Sequence, residues 1–263
     1  MKEMLLNLSG IHLAFGAYTV LENANFTVPK GAVVSLIGPN GAGKTSLFNC
    51  ITGFYRPKAG SIAFDGRELM RLKPHQVTAA GIARTFQNLR LFREMTVLEN
   101  VMSGMHCRTH AGAFSAILRT PMQRAEEDEI REYSEECLRF VGVTDDFDRE
   151  ATTLAYGHQR RVEIARALAT KPKLLLLDEP AAGLNAGEKQ ELVELIQRIR
   201  DERGVSVLLI EHDTGLVMKV SERISVLDHG VMIAEGTAKQ IQTDPKVIEA
   251  YLGQEDGEAD LDL

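Results

Sequence analysis

Leu6, Leu8, Ile11 and Leu13 recur at strand-like spacing near the start of the chain, and Val20 to Val28 follows the same pattern. The two segments predict an antiparallel strand pair. Val33 to Ile37 is a short apolar run, followed by a glycine-rich turn and a helix from about Gly43 to Thr52. Ser61 to Phe64, ending at Asp65-Gly66, predicts a further strand and turn. From about Leu89 to Thr153 the pattern becomes helical. Thr96 and Glu99 have the spacing of a capping box, and Ile130, Cys137, Leu138 and Val141 share one helical face opposite the acidic run Glu126 to Glu129. Lys173 to Leu177 and Val205 to Ile210, the second interrupted by Ser206, are near-continuous apolar runs, as expected of strands buried on both faces of a parallel sheet. A helix from Glu188 to Arg200 lies between them. Ile224 to Leu227 and Met232 to Ala234, joined by Asp228-His229-Gly230, predict a closing hairpin. The pattern is that of one α/β domain interrupted by a helical insertion, with no separate second domain.

The turn after Ile37 carries the first chemistry. Gly38, Pro39, Asn40, Gly41, Ala42, Gly43, Lys44 and Thr45, followed by Ser46, match the pattern Gly-x4-Gly-Lys-[Ser/Thr] between a predicted strand and helix. The glycines let successive backbone N–H groups curl toward a phosphate, and the following helix presents the positive end of its dipole. Lys44 reaches the β- and γ-phosphates in such a loop, and Thr45 ligates Mg²⁺. Four leucines, Leu174 to Leu177, then deliver Asp178 and Glu179 to the carboxyl end of a buried strand, where α/β sheets bind ligands. Asp178 is suited to Mg²⁺, and Glu179 is placed to polarise an attacking water. His212 ends the next apolar strand at the same edge, at the height of a γ-phosphate. Gln87 stands where the chain leaves the sheet for the helical insertion, within reach of Mg²⁺ or water. Residues Leu154, Ala155, Tyr156, Gly157 and His158 open another helix with small residues, a second place where free N–H groups meet phosphate.

Composition narrows the class. The net charge is −7, but the last ten residues hold five acids and no base, which leaves −2 on the rest. A near-neutral body gives no support to nucleic-acid binding, and residues 254–263 are expected to be a solvated, disordered acidic tail. No run approaches the roughly 18 apolar residues that span a bilayer. The N-terminus lacks a cleavage signal, so the expected location is cytoplasmic. The three cysteines are scattered and odd in number, against a disulfide framework or zinc site. His106 and His110 beside Cys107 have helical i,i+4 spacing and read as a polar helix face.

Together, the glycine loop, Gln87, the segment Leu154-Ala-Tyr-Gly-His-Gln-Arg-Arg161, Asp178-Glu179 and His212 stand in the order and spacing of ATP-binding-cassette (ABC) ATPases, and residues 4–253 resemble that family throughout. The segment from Leu154, the run Asp-Glu-Pro-Ala-Ala-Gly-Leu-Asn185, Leu-Leu-Ile-Glu-His-Asp213 and the ending Val247-Ile-Glu-Ala-Tyr-Leu-Gly253 look most like the larger ATPase subunit of branched-chain amino-acid importers. The resemblance implies an α/β P-loop NTPase fold over residues 1–253, with an antiparallel β subdomain and an α-helical subdomain inserted at about 89–160. It implies ATP and Mg²⁺ as ligands, and Phe15 stacking on adenine, with Tyr18 as the runner-up. Two cassettes, related or identical, would sandwich ATP between one P-loop and the other's signature segment. Two integral-membrane permease subunits would hold the pair at the cytoplasmic face of the inner membrane, a permease helix entering the groove near Gln87. An extracytoplasmic binding protein would deliver the solute. Two departures stand out: Ala155 replaces the signature serine, and Asn185 replaces the usual aspartate. Rival readings are an ABC-type ATPase of DNA maintenance, which needs long coiled-coil heptads that the interval between Lys44 and Leu154 lacks, another ABC transport system, and a lone P-loop kinase, which needs neither signature nor switch histidine.

Lys44→Ala removes the charge-assisted contact to phosphate. It is expected to weaken ATP binding by about 1.5–3 kcal/mol or more, measured by calorimetry; unchanged affinity would refute the assignment.

Overall fold

The computed structural model describes residues 3–105 and 121–258, with the backbone alone for 121–123 and 252–258. His106, Cys107 and His110 lie outside the described residues. Two sheets form the body. The first is antiparallel, in the order β2 (Tyr18–Pro29), β1 (Met4–Phe15), β4 (Ala59–Phe64), β5 (Arg67–Glu68). The expected pair is thus its core, extended by the strand read at Ser61. The second sheet has the order β10 (Val231–Gly236), β9 (Arg223–Asp228), β3 (Val33–Ile37), β8 (Ser206–Ile210), β7 (Leu174–Asp178), β6 (Ile82–Arg84). Its strands run parallel from β9 to β6, and β10 closes it antiparallel to β9.

The apolar runs are explained by what covers each face. Val34, Leu36, Leu174, Leu176, Leu208 and Ile210 pack toward β1, β2 and the helix Lys44–Ile51, which lies between the two sheets. The alternate residues Val33, Leu175, Leu177, Val207 and Leu209 pack against the helical side of the molecule. Side chains of a strand point alternately to opposite faces, so a strand covered twice is nearly all apolar; the two buried hydroxyls are paired, Ser35 with Ser221 at 2.6 Å and Ser206 with the Gly31 N–H at 2.8 Å.

The helical insertion contains the helices Val97–Met105 and Pro121–Phe140, the single turn Ala151–Thr153 and the helix Tyr156–Ala169. The capping box at its start is formed: Glu99 N–H donates to Thr96 Oγ1 at 3.2 Å, and Thr96 N–H donates to Glu99 Oε2 at 2.8 Å. Ile130, Cys137, Leu138 and Val141 are buried in the shared core. The helix from Tyr156 runs nine residues past the expected edge of the insertion at 160, because Val162, Ile164, Ala165 and Leu168 continue its buried face.

Several elements differ from the sequence reading. β6 has three residues, too few to show a period, and exists because Ile82, Ala83 and Arg84 pair with Leu174, Leu175 and Leu176. Helices Pro74–Ala80, Thr214–Val220 and Ala238–Gln242 are likewise too short for periodicity to mark. The helix read as Glu188 to Arg200 spans Ala186–Arg203, begun by a capping box between Asn185 and Glu188. The last helix, Pro245–Glu258, carries five residues of the acidic segment expected to be irregular. No proline interrupts it, and charge alone does not stop a helix; residues 259–263 lie outside the described residues.

Phe48 is fully buried in the helix between the sheets. Phe48→Ala is expected to destabilise the chain by about 3–5 kcal/mol in a denaturant titration; a loss below about 1 kcal/mol would mean that this helix is not the centre of the packing.

Candidate active site

The glycine loop is shaped by close approach. Gly38 has φ +149°, and a Cβ there would lie 1.9 Å from the Leu227 carbonyl oxygen of β9. Gly43, at φ +105°, caps the helix Lys44–Ile51 where a Cβ would meet the Val20 carbonyl at 3.0 Å. Both positions therefore require glycine. Lys44, the first helical residue, is 6% exposed, and its ammonium donates to the carbonyls of Gly38 at 2.7 Å and Pro39 at 2.8 Å. Burial pulls the Lys44 pKa down, while the charges of Glu179 and Asp178 push it back up. Thr45 is exposed on the same first turn and Ser46 half-buried beside it. The first-turn N–H groups have no acceptor one turn earlier within their own helix, so its N-terminus is suited to an anion.

Asp178 ends β7 and is 4% exposed. Its Oδ2 accepts from Arg84 Nη2 at 2.7 Å, with both side chains buried. Arg84 also donates to Asn49 Oδ1 at 2.7 Å, and the rings of Phe48 and Phe86 cover its guanidinium at 5.5 and 5.1 Å. Sequence reasoning missed Arg84. A three-residue strand gave no sign that it would stand beside Asp178; only the β6–β7 pairing brings it there.

Glu179 takes φ +48°, a left-handed conformation unusual for a residue with a side chain. The backbone turn carries its carboxylate between two partners. Oε1 lies 2.6 Å from His212 Nε2, and Oε2 accepts from Gln87 Nε2 at 2.7 Å. An ionised carboxylate only accepts, so this contact places the imidazole proton on Nε2. Two residues from separate motifs thus converge on the carboxylate of a third.

The stretch leading to Gln87 is gripped from the helical side. Arg160, 1% exposed, donates to the carbonyls of Phe86 at 2.8 Å and Gln87 at 2.9 Å, and pairs with the buried Glu163 at 2.9 Å. Glu163 accepts in turn from Phe86 N–H at 3.3 Å. Burial raises the Glu163 pKa, against the pull of Arg160. Neither residue was singled out from the sequence, where both look like charges on a polar helix face.

Phe15, 51% exposed at the end of β1, sits edge-to-face on Tyr55 with ring centroids 5.1 Å apart; Tyr18 is 69% exposed and begins β2. Leu154 is buried, and Ala155 is the N-cap of the helix Tyr156–Ala169, with no side-chain cap. Ala155, Gly157 and His158 line a recess with Leu184, Glu188 and Leu192, which no P-loop residue lines. Tyr156, within this segment and 43% exposed, has its ring against Gly183. Within one chain the signature segment lines a different recess from the P-loop, and Leu154 packs in a different core cluster from Ala42 and Leu47, while Gln87, Glu179 and His212 are together. A second aromatic-lined groove runs beside the Gln87 segment, between Arg90, Phe92, Ser103 and Arg166.

Such a site can bind a nucleoside polyphosphate and activate water against it. The described residues hold no group of three or more His, Cys, Asp or Glu arranged to hold a metal ion. Mg²⁺ needs none, since it is commonly held by one or two carboxylates together with substrate phosphates; Asp178 and Thr45 are of the right kind.

The fold and the site define a P-loop ATPase of the cassette type. The ABC transporter family model matches residues 21–182, and the chain belongs to that family. A second model, described as branched-chain amino acid ATP-binding cassette transporter, matches residues 231–257. The high-affinity branched-chain amino acid transport ATP-binding protein BraF of Pseudomonas aeruginosa is 47% identical over 254 residues, covering 97% of this chain and all of the relative. LivG of Escherichia coli K12, described in the same words, is 46% identical over the same shares. Among solved structures, the ADP conformation of MJ1267, an ATP-binding cassette of an ABC transporter, matches with TM-score 0.84 and 34% identity over 96% of this chain and all of its own. A dimeric post-hydrolysis state of the cassette MJ0796, bound to ADP and Pi, matches with TM-score 0.74 and 26% identity over 89% of this chain and 98% of its own. The chain is an ATPase.

Ala155 already has N-cap backbone angles, φ −58° and ψ 149°. Ala155→Ser is expected to add a side-chain cap and raise stability by about 1 kcal/mol in a urea titration without nucleotide; no gain would show that the added hydroxyl does not reach the first turn.

Proposed function

We propose that this chain binds and hydrolyses ATP to power an importer for branched-chain or related hydrophobic amino acids. The names of BraF and LivG and the C-terminal family match support the substrate class. The observation that carries the chemistry is the convergence of Gln87 and His212 on the Glu179 carboxylate, beside the buried Lys44.

In this reading Phe15, supported by Tyr55, stacks on adenine. The loop from Gly38 to Ser46 wraps the phosphates with its N–H groups, and Lys44 exchanges the Gly38 and Pro39 carbonyls for β- and γ-phosphate oxygens. Thr45, Asp178 and Gln87 are the residues that would hold Mg²⁺, which supplies neutralisation of the phosphate charge. Arg84 keeps one Asp178 oxygen occupied and leaves the other free. Glu179 takes the proton of the attacking water, and Gln87 and His212 aim its two oxygens until the γ-phosphate engages His212.

The separation of the signature segment from the P-loop supports a composite site. Leu154 to His158 of a second cassette, identical or related, completes the ATP cover, and Ala155 offers backbone N–H groups without a hydroxyl. Since no described helix is long and apolar enough to cross a membrane, attachment at the cytoplasmic face falls to two permease subunits. The groove lined by Arg90, Phe92 and Arg166 is where one of their helices enters. An extracytoplasmic binding protein supplies the amino acid, and nucleic acid has no part.

Glu179→Gln keeps the shape of the side chain and loses its basicity. With the permease assembled, hydrolysis and uptake are expected to fall roughly 10²–10⁴-fold while ATP still binds; wild-type turnover in this variant would refute the assignment.

A further inference from the structure

Glu211 is a carboxylate for which the hydrolysis mechanism has no use. It stands between Ile210, the last residue of β8, and His212, and is 5% exposed. No Lys or Arg forms an ion pair with it among the described residues; Lys189, on the neighbouring helix, bonds to Asp213 instead. Its partners are backbone. Oε1 accepts from Ala181 N–H at 2.6 Å, and Oε2 accepts from His212 N–H at 3.0 Å and Asp213 N–H at 3.3 Å. Burial raises the Glu211 pKa and the three N–H groups lower it. Burying a carboxylate is costly unless its oxygens are satisfied, so a residue kept here has to be fitted to these donors.

The two oxygens serve different segments. Oε2 fixes the backbone of His212, whose ring holds Glu179. Oε1 fixes Ala181, two residues past Glu179, at the start of the loop that leads to the helix Ala186–Arg203. That loop reaches the signature segment: a Cβ on Gly183 would lie 3.1 Å from the Tyr156 ring, and one on Gly157 would lie 2.6 Å from Glu188 Oε1. Among the described residues, Glu211 is therefore the side chain that bonds both to the switch histidine's backbone and to the loop joining Glu179 to the signature side.

We propose that Glu211 is a positioning residue for hydrolysis, which holds the His212 backbone and the loop after Glu179 in fixed relation by accepting N–H groups on both carboxylate oxygens. The inference rests on the roles given above to Glu179 and His212. It requires two acceptors. Glu211→Gln is isosteric but offers one acceptor and one NH₂ group, so in either orientation of the amide an N–H group faces another N–H. Glu211→Asp keeps two acceptors on a stem one methylene shorter.

The test compares the full-length wild type, Glu211→Gln, Glu211→Asp and Glu179→Gln for kcat, for KM, for calorimetric affinity toward ADP and a non-hydrolysable ATP analogue, and for amide exchange at Ala181, His212 and Asp213. Glu211→Gln is expected to lower kcat on the order of tenfold or more, with nucleotide affinity within about twofold of wild type and faster exchange at those amides. Glu211→Asp is expected to fall between the two. Wild-type kcat in Glu211→Gln would overturn the inference, as would affinity lost in parallel with turnover or Glu211→Asp turning over no faster than Glu211→Gln. If Glu211→Gln does not fold, Glu211→Asp decides alone: lowered kcat at unchanged affinity supports the role, and unchanged kcat overturns it. Wild-type turnover in Glu179→Gln would instead refute the hydrolysis assignment itself.

Discussion

Ile210 faces Leu36 of β3 on one side and Asp178 of β7 on the other. This parallel register is the constraint on which the chemistry depends. It ends three strands at one height, so the loops that follow them leave from a common edge. One loop carries Gly38 to Lys44, another Asp178 and Glu179, and the third Glu211 and His212. The register is held because each strand is covered on both faces, and a slip by one residue would exchange the side chains that meet the helix Lys44–Ile51 with those that meet the helical insertion. Packing in the core thereby fixes the spacing of charged groups at its rim.

Those charges are buried in compensating sets. Lys44 and Arg84 are set against Asp178 and Glu179, and Arg160 against Glu163. A buried pair is weak evidence for stability, since desolvation offsets most of its attraction. Its consequence here is geometric. Arg84 ties Asp178 to Asn49 of the P-loop helix, and Arg160 ties the signature helix to the backbone at Phe86 and Gln87. Glu211 does the same for His212 and Ala181 through backbone N–H groups, without an ion pair among the described residues. Each tie joins two segments that border the candidate site.

Much of the site was legible because its chemistry is local. Gly38, Gly43 and Lys44 sit within one turn, and the loop's shape follows from glycine's freedom and the helix that begins at Lys44. Asp178 and Glu179 follow four leucines, and a run without polar interruption can end only where its strand leaves the core. The capping box of Thr96 and Glu99 is likewise complete within four residues. The positioning residues were not legible. Arg84 lies in a strand of three residues, Arg160 and Glu163 look like a polar helix face, and Glu211 reads as one more acid beside His212.

The sequence by itself therefore determined the two-sided strands, the phosphate loop and the identity of the groups at the strand ends, because period, glycine placement and the order of motifs are properties of neighbouring residues. Tertiary structure alone decided that Gln87 and His212, from segments 125 residues apart, close on the two oxygens of Glu179. It also decided that Arg84 meets Asp178, that Glu211 spans two loops, and that the signature segment stays away from the P-loop of its own chain. Those pairings are set by strand register and by which helix covers which face, and no residue carries that information except through the packing of all the others.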